Sequence, residues 1–364
     1  MPLDPALADL RKRARLTQAD LAKRLGVDTS LVSRWEKGDR QPSPQQLMEF
    51  ARAVGVTLDF LLNAEVRPEF QFRARQTLTA AQNAELDRAE LDAAQQIHYL
   101  HAAHKLAGIA PRATALAYDP AQITDVDIAD FAAEMRTVFH LNRVVSLSEL
   151  KQAMAEQHIH VFEWHLPWTV SGMSYRGQFT VVFINRAHTE DRRLFTLAHE
   201  LAHVLLHLRR ETRETMVSTF GARDPDEKQA NLFASELLMP TQALDRLIAA
   251  LGERLREMQV LDSASRSFNV SRDALFYRLV GKGIFDWSDK KRYFTEAIAP
   301  EAAGSERVTA IDAQVAPGFL QLALELFDTE RVSAGKLSEW FFAARPTVED
   351  YLAARYLEVE SALF

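Results

Sequence analysis

The residues best suited to chemistry are two histidines and a glutamate in the stretch FTLAHELAHVLLHL, residues 195–208. His199 and His203 are four residues apart, so on a helix they lie on one face, about one turn from each other. This spacing allows both imidazoles to bind a single tetrahedral Zn²⁺ at ~2.0–2.1 Å. Glu200 can reach the open coordination position and act there as the general base toward a water molecule. Apolar neighbours favour this interpretation over chance histidines in a buried helix, because burying unpartnered imidazoles is costly.

A catalytic zinc needs three protein ligands, and the H-E-x-x-H motif supplies two. The third cannot be a thiolate, because the chain has no cysteine. His207 continues the four-residue series but lies ~6 Å further along the helix axis, too far to bind the same ion. We expect it to contact a ligand or to end the helix. A carboxylate from another segment is therefore expected as the third ligand.

The segment DEKQANLFASELLMP, residues 226–240, predicts a second amphipathic helix. Its apolar positions are Ala230, Phe233, Ala234, Leu237 and Leu238. Glu227, at the start of the segment, is the favoured third ligand. Asp226, Asn231 and Glu236 remain alternatives, although Glu236 lies on a different rotation of the helix. Asn231, one turn after Glu227, is also placed to orient Glu227 or a ligand histidine.

The elements that must position these side chains lie between residues 128 and 280. Amphipathic helices are predicted over residues 128–139 and 148–157. The alternation in HIHVFEW, residues 158–164, predicts a strand, and residues 171–185 predict a glycine turn followed by a strong strand. A small sheet packed on the motif helix is the usual frame of zinc-dependent peptidases, and its edge strand can pair with an extended peptide substrate.

The composition bounds the class of protein. The chain has 364 residues, 47% of them hydrophobic and 26% charged, as in soluble globular proteins. This length predicts two or three domains. No apolar run approaches the ~20 residues that span a bilayer, and the first residues do not resemble a signal peptide, so we expect a cytoplasmic protein without a membrane partner. The net charge of −7 requires any DNA binding to come from a local patch.

Residues 1–62 show the pattern of five short helices. Thr17 is a natural N-cap for the second helix, Gln18–Leu25, and Gly26 closes it. The later helices are expected to run from the polar stretch 28–30 to Glu36 or Lys37, from Pro44 to Val54, and from Leu58 to Leu62. Short helices with a glycine turn between the second and the third predict a helix-turn-helix domain.

The stretch TQADLAKRLGVDTSLVSRWEKGDRQPS, residues 17–43, closely resembles the repressor-type (XRE) helix-turn-helix family. The resemblance covers about sixty residues and implies that a homodimer docks its third helices in the major groove of a double-stranded DNA operator. By this resemblance the base edges would face Thr29, Ser30, Ser33 and Arg34. The DNA phosphates would be held by Gln18, Lys37 and Arg40. The alternative is a helix-turn-helix kept as a protein-docking module.

The stretches FTLAHELAHVLLH and EKQANLFASELLMP resemble the ImmA/IrrE metallopeptidase family, and the patterns IN-x(6)-RRLFTLAHE and SG-x-S strengthen the match over residues 128–280. The resemblance implies a gluzincin-like, site-specific protease that cleaves a transcriptional repressor. It implies His199, His203 and Glu227 as ligands and Glu200 as the general base. A residue that stabilises the transition state is also expected, with weak candidates in Tyr175, His188 and His207.

The α+β chain is expected to divide into four parts. These are a helix-turn-helix domain (1–64), a helical connector (65–127), an ImmA/IrrE-like metallopeptidase domain (128–285), and a helical C-terminal domain for sensing or dimerisation (286–364). Residues 264–285 form a second helix-turn-helix-like stretch, which we expect to be structural.

Together these features predict a DNA-binding transcriptional regulator with zinc-dependent endopeptidase activity. Its expected substrate is a repressor or antitoxin-like protein, cleaved in a stress, DNA-damage or mobile-element response. Zn²⁺ is the expected cofactor, and Mn²⁺ is an alternative because two histidines and a carboxylate accept both. The competing hypothesis is a non-proteolytic DNA-binding repressor whose metal domain senses a ligand or a metal. The presence of Glu200 favours the enzyme, because metal binding alone does not need this carboxylate.

Overall fold

The computed structural model describes most of the chain in two compact units, Met1–Ala110 and Pro111–Phe364. The described residues are 3–63, 79–208, 215–219, 224–293 and 310–362. The first part of the predicted connector, residues 65–76, lies outside them. The α+β class is confirmed, since helices surround a small four-stranded sheet.

The first unit is helical. Its helices are α1 (Leu3–Arg13), α2 (Gln18–Leu25), α3 (Thr29–Lys37), α4 (Pro44–Val54), α5 (Leu58–Asn63) and α6 (Ala80–Ala107). Thr17 caps α2 reciprocally: its side chain accepts from the backbone N–H of Asp20, whose carboxylate accepts from the N–H of Thr17. Gly26 ends α2 with a φ of 64°, a left-handed conformation that favours glycine. The expected turn between the second and third helices is therefore present.

Helix α6 packs against the helix-turn-helix helices and completes their core. Leu91 and Ala94 of α6 belong to the same buried cluster as Trp35 and Phe50. The side-chain oxygen of Gln95 accepts a hydrogen bond of 3.0 Å from the backbone N–H of Thr57, at the start of α5. This burial explains the long apolar stripe along α6, because a helix of 28 residues needs tertiary packing to be stable.

The second unit opens with the frame of the predicted metal site. Its elements are α7 (Ile128–Val138), α8 (Leu147–Glu156), β1 (Ile159–Trp164), β2 (Val170–Arg176), β3 (Thr180–Asn185), α9 (Glu190–Ala202), β4 (Thr215–Thr219) and α10 (Pro225–Leu238). The strand order is β1-β3-β2-β4, with β1 parallel to β3 and β2 antiparallel to both β3 and β4. Every residue of β3 is buried, as expected for a central strand with both faces covered.

The motif helix differs from the single helix expected over residues 195–208. Helix α9 ends at Ala202 and continues as a π-helical turn over His203–His207, in which the N–H of Leu208 donates to the carbonyl of His203 at 2.8 Å. Such wide turns are frequent at functional sites. The guanidinium of Arg176 donates to the carbonyl of Val204 at 2.8 Å and to that of Leu116 at 2.9 Å, so β2 supports this turn from outside the helix.

The remaining elements are helical. They are α11 (Thr241–Leu251), α12 (Met258–Arg266), α13 (Arg272–Gly281), α14 (Lys290–Tyr293), α15 (Ala310–Gln314), α16 (Pro317–Asp328), α17 (Ala334–Trp340) and α18 (Arg345–Ala362). Ser271 caps α13 by accepting from the N–H of Ala274, so the second helix-turn-helix-like stretch contains the end of α12 and the whole of α13. None of the described helices is long and apolar enough to cross a membrane. The predicted division into connector, peptidase and C-terminal domains stays a prediction.

Candidate metal centre and nucleic-acid interface

Three buried side chains from α9, the π-helical turn and α10 converge at one point. The Nε2 atoms of His199 and His203 are 2.9 Å apart. One carboxylate oxygen of Glu227 lies 3.2 Å from His199 Nε2, and the other lies 3.5 Å from His203 Nε2. Among the residues that the structure describes, these three form the group able to hold a metal ion.

The separations of these donor atoms fit a tetrahedral metal. An ion bound at ~2.0–2.1 Å to each donor keeps its donors ~3.3 Å apart, close to the three distances found. Two imidazoles and one carboxylate leave a fourth position open, as in catalytic rather than structural zinc sites. The donor set therefore suits Zn²⁺, and it also accepts Mn²⁺.

Burial and mutual contact set the charges of the three candidate ligands. Burial lowers the pKa of His203 to about 3, so this imidazole is neutral. Burial also disfavours a charged His199, but the hydrogen bond and charge of Glu227 outweigh it, and the pKa of His199 is raised. Burial opposes ionisation of Glu227 too, yet the hydrogen bonds from both histidines lower its pKa far below the usual range. Glu227 is therefore the anionic donor of the group.

Asn231 contacts the first candidate ligand, His199. Its side-chain oxygen lies 3.0 Å from His199 Nδ1 and accepts the proton there, which leaves Nε2 for a metal. Asn231 lies one turn beyond Glu227 on α10, so a single helix face supplies both a ligand and an orienting partner. Asn231 is not one of the three residues of the metal-holding group, and its contact with His199 Nδ1 is the one expected of an orienting partner.

His207 does not join the three ligands. Its Nδ1 lies 2.8 Å from Nδ1 of His203, and its Nε2 lies 2.9 Å from the side-chain oxygen of Gln229. Gln229 in turn donates to the backbone carbonyl of Ile123. The sequence pattern indicated a contact with a ligand for His207, but no signal in the sequence pointed to Gln229.

Glu200 is fully buried and packs against strand β2. The hydroxyl of Ser174 donates to one oxygen of its carboxylate. Gly172, two residues earlier on the same face of the strand, leaves the space that the rest of the Glu200 side chain fills. The SG-x-S pattern thus has a physical role: its glycine and its second serine hold the predicted general base beside the ligand group.

The rival acidic residues have other partners. Glu236 accepts from the backbone N–H of Thr241 at 3.1 Å and forms an ion pair with Arg278. This carboxylate therefore ties α10 to α11 and α13. Asp226 is half-buried beside Asp224 at the start of α10 and does not belong to the metal-holding group.

Tyr175 and His188 are two of the three candidates for stabilising the transition state. Tyr175 is buried and follows Ser174 on β2, so its side chain points to the opposite face of the sheet. His188 donates from Nε2 to the backbone carbonyl of Trp168 at 3.0 Å. Burial, reinforced by the charge of Arg192, lowers the pKa of His188 to about 4. The described contacts assign a stabilising role to neither residue.

The residues predicted to read DNA lie on and around α3. Thr29, Ser30, Arg34 and Lys37 are exposed on this helix, Ser33 is half-buried, and Arg40 is exposed just beyond the helix end. Trp35 lies on the opposite side and is 1% exposed, so it anchors α3 to the core. The exposed face of α3 is therefore accessible to the major groove of DNA. The individual DNA contacts stay predictions.

Gln18 joins a network that braces α3 against α1 and α2. Its side-chain nitrogen donates to Glu36 at 2.8 Å, and Arg11 donates to the same carboxylate at 2.5 and 3.0 Å. Burial would raise the pKa of Glu36, but the hydrogen bonds from Arg11 and Gln18 lower it overall. Glu36 thus links α3 to α1 and α2. The phosphate contact of Gln18 stays a prediction.

Comparisons with known proteins match two parts of the chain. A helix-turn-helix family model matches residues 7–61, and the Peptidase M78 model, described as an IrrE N-terminal-like domain, matches residues 154–280. An uncharacterized HTH-type transcriptional regulator, YqaE of Bacillus subtilis (strain 168), is 32% identical over 98 residues, which are 25% of this chain and 84% of the relative.

Two phage proteins are also similar to parts of the chain. An uncharacterized immunity region protein 2 of Bacillus phage phi105 is 34% identical over 84 residues, 23% of this chain and 53% of that protein. Repressor protein C2 of Salmonella phage P22 is 30% identical over 56 residues, 15% of this chain and 26% of that protein. This chain belongs to the HTH-type transcriptional regulators and joins their helix-turn-helix to an IrrE N-terminal-like domain of the Peptidase M78 family.

Proposed function

We propose that this regulator is a zinc-dependent endopeptidase that cleaves a repressor or antitoxin-like protein. One observation carries the proposal: Ser174 and Gly172 hold the carboxylate of Glu200 beside the group formed by His199, His203 and Glu227. A metal site without catalysis has no need of a second, separately held carboxylate. An amide-hydrolysing site needs one, because water must lose a proton as it attacks.

The metal would be held by His199, His203 and Glu227. When bound, Zn²⁺ supplies a Lewis acid that polarises the scissile carbonyl and lowers the pKa of a water molecule. Asn231 keeps the Nδ1 proton of His199 away from the coordinating nitrogen. Burial of the group limits competition from bulk water and strengthens its electrostatic interactions.

Glu200 moves the proton. Its carboxylate accepts a proton from the attacking water as the new carbon–oxygen bond forms at the peptide carbonyl. The same proton then passes to the amide nitrogen as the carbon–nitrogen bond breaks. The second proton of the water follows it to that nitrogen, so the products are a carboxylate and a protonated amine. The hydroxyl of Ser174 binds one oxygen of Glu200 and so fixes the direction in which the carboxylate points.

The regulatory role rests on the union of two domains in one chain. The helix-turn-helix would bring a homodimer to a double-stranded operator, where a repressor is a neighbouring substrate. The similarity to a phage repressor and to a phage immunity region protein supports a role in a mobile-element response. The rival function is a repressor whose metal domain only senses a ligand or a metal.

The test measures cleavage of purified proteins encoded beside the gene, and it compares the wild-type chain with Glu200→Gln. Zn²⁺ is present, and single-stranded DNA or extract of damaged cells is added as the trigger. Glu156→Gln, an exposed change in α8, serves as the matched control. We expect cleavage by the wild type and the control, and at least a ~100-fold loss in Glu200→Gln with its zinc retained. If the proteins encoded beside the gene stay uncleaved under all conditions and operator binding depends on metal, the rival function of a metal-sensing repressor is supported instead.

A further inference from the structure

We propose that His207 and Gln229 are positioning residues that set the tautomer of the ligand His203 through a hydrogen-bond relay anchored on a backbone carbonyl. The relay runs from the carbonyl of Ile123 to Gln229, then to His207, and then to His203. The inference rests on the metal-binding part of the proposed function and does not depend on peptide cleavage.

The carbonyl of Ile123 sets the direction of the relay, because a carbonyl oxygen only accepts. Gln229 must therefore turn its NH₂ group toward Ile123 and its oxygen toward His207. That oxygen also only accepts, so Nε2 of His207 carries the proton. The orientation of the Gln229 amide on α10 thus decides which nitrogen of His207, in the π-helical turn, is protonated.

The same logic continues to the ligand. A neutral His207 with its proton on Nε2 presents a lone pair at Nδ1, which lies 2.8 Å from Nδ1 of His203. His203 must then donate from Nδ1, and its own lone pair lies on Nε2. That nitrogen faces His199 and Glu227 in the metal-holding group. The relay therefore prepares the correct nitrogen of His203 before a metal arrives.

The π-helical turn makes the relay possible. It ends at His207, and its extra residue rotates the ring of His207 from its position in a regular helix. The backbone N–H of Tyr118 donates to the carbonyl of Leu205 at 2.8 Å, so the segment that leads to Ile123 also holds this turn. His207 is 8% exposed, which keeps water from replacing either of its partners.

Two substitutions of His207 separate positioning from packing. His207→Phe keeps a buried ring but removes the acceptor. His207→Asn loses bulk but places an amide oxygen near the position of Nδ1. Partners of metal-bound histidines typically affect metal affinity ~10–100-fold, so we expect His207→Phe and Gln229→Leu to weaken Zn²⁺ binding by this factor. We expect His207→Asn to bind Zn²⁺ within about threefold of the wild type.

The experiment measures Zn²⁺ affinity of the full chain by competition with a chromogenic chelator, in a Glu200→Gln background. Lys228→Leu is the matched control, since Lys228 neighbours Gln229 on α10 but is exposed and pairs with Asp125. Nitrogen-15 spectra of the metal-free protein report which nitrogen of each histidine is protonated. The proposal is overturned by any one of three results. These are weaker Zn²⁺ binding in His207→Asn than in His207→Phe, unchanged Zn²⁺ affinity in Gln229→Leu, or a proton on His203 Nε2 in the metal-free protein. Because no peptide is cleaved in this assay, the relay can stand even where the proposed peptidase function fails.

Discussion

A β-carbon placed on Gly172 would lie 2.5 Å from Oε1 of Glu200 and 2.8 Å from its Cδ and Cγ atoms. Strand β2 therefore approaches the predicted general base as closely as a polypeptide backbone can. The neighbouring atoms belong to a fully buried side chain that is also held by Ser174, so they have little room to move. The glycine is needed here for close approach and not for backbone conformation.

Gly172→Ala is accordingly expected to displace Glu200 while leaving the three metal ligands in place. Because general-base catalysis contributes roughly 10²–10⁴-fold, we expect cleavage of the protein substrate to fall by at least ~100-fold. The zinc content should stay near that of the wild type. The measurements are turnover and bound metal, with Gly318→Ala as the control, since a β-carbon there meets no atom within 4 Å. Full activity in Gly172→Ala would contradict the placement of Glu200.

Glu227 and Glu236 offer a matched pair of buried carboxylates on α10. Glu227→Ala removes one of three donors, so we expect zinc affinity to fall by more than the ~10–100-fold typical of a partner outside the ligand set. Glu236→Ala should retain zinc but destabilise the protein by about 1–3 kcal/mol, because Arg278 loses its partner. Metal analysis and thermal unfolding of both variants distinguish these effects. Normal zinc affinity in Glu227→Ala would show that another residue is the third ligand.

Arg34 and Lys37 are expected to act differently on DNA. If Arg34 reads a base edge, Arg34→Ala should weaken operator binding by about 1–3 kcal/mol and relax the preference at one base pair. If Lys37 holds a phosphate, Lys37→Ala should weaken binding to all sequences and reduce the salt dependence by about one charge. Binding curves at several salt concentrations provide the measurement. Lys12→Ala, an exposed change in α1, controls for loss of charge alone.

Asp92 makes the stability of the first unit depend on pH. Burial raises its pKa to about 6, and the nearby Arg88 only partly offsets this. The pKa of Asp92 is higher in the folded protein than in the unfolded chain. Its contribution to stability is therefore fully present below about pH 4 and is lost as the pH rises through about 6. Asp92→Asn should therefore be more stable than the wild type at pH 7, by about 1–3 kcal/mol, and equal to it near pH 4.

Urea unfolding of the full chain at both pH values tests this expectation, followed by a probe in the first unit such as the fluorescence of Trp35. Asp9→Asn is the control, because Asp9 pairs with Arg13 on α1 at a more exposed position. A stabilisation of Asp92→Asn that is the same at pH 4 and pH 7 would rule out the titration of Asp92 as its cause.

Local patterns in the sequence determined the parts of the site that lie on one helix. His199, Glu200 and His203 could be placed from their spacing alone, because helical periodicity is a property of consecutive residues. The same periodicity located α2 and α3 and the apolar face of α10, and it removed His207 from the set of ligands. The helix-turn-helix and IrrE-like resemblances rest on these contiguous stretches.

Only the tertiary structure decided which distant residues meet. The sequence favoured Glu227 and left Asp226, Asn231 and Glu236 as alternatives. Packing of α10 on α9 brings Glu227 to both histidines, whereas Glu236 contacts Arg278. The contacts of Gly172 with Glu200 and of Gln229 with His207 join segments more than twenty residues apart. The π-helical turn likewise depends on support from Arg176 on β2. Such contacts follow from how elements pack, and the periodicity of a single segment carries no information about its neighbours in space.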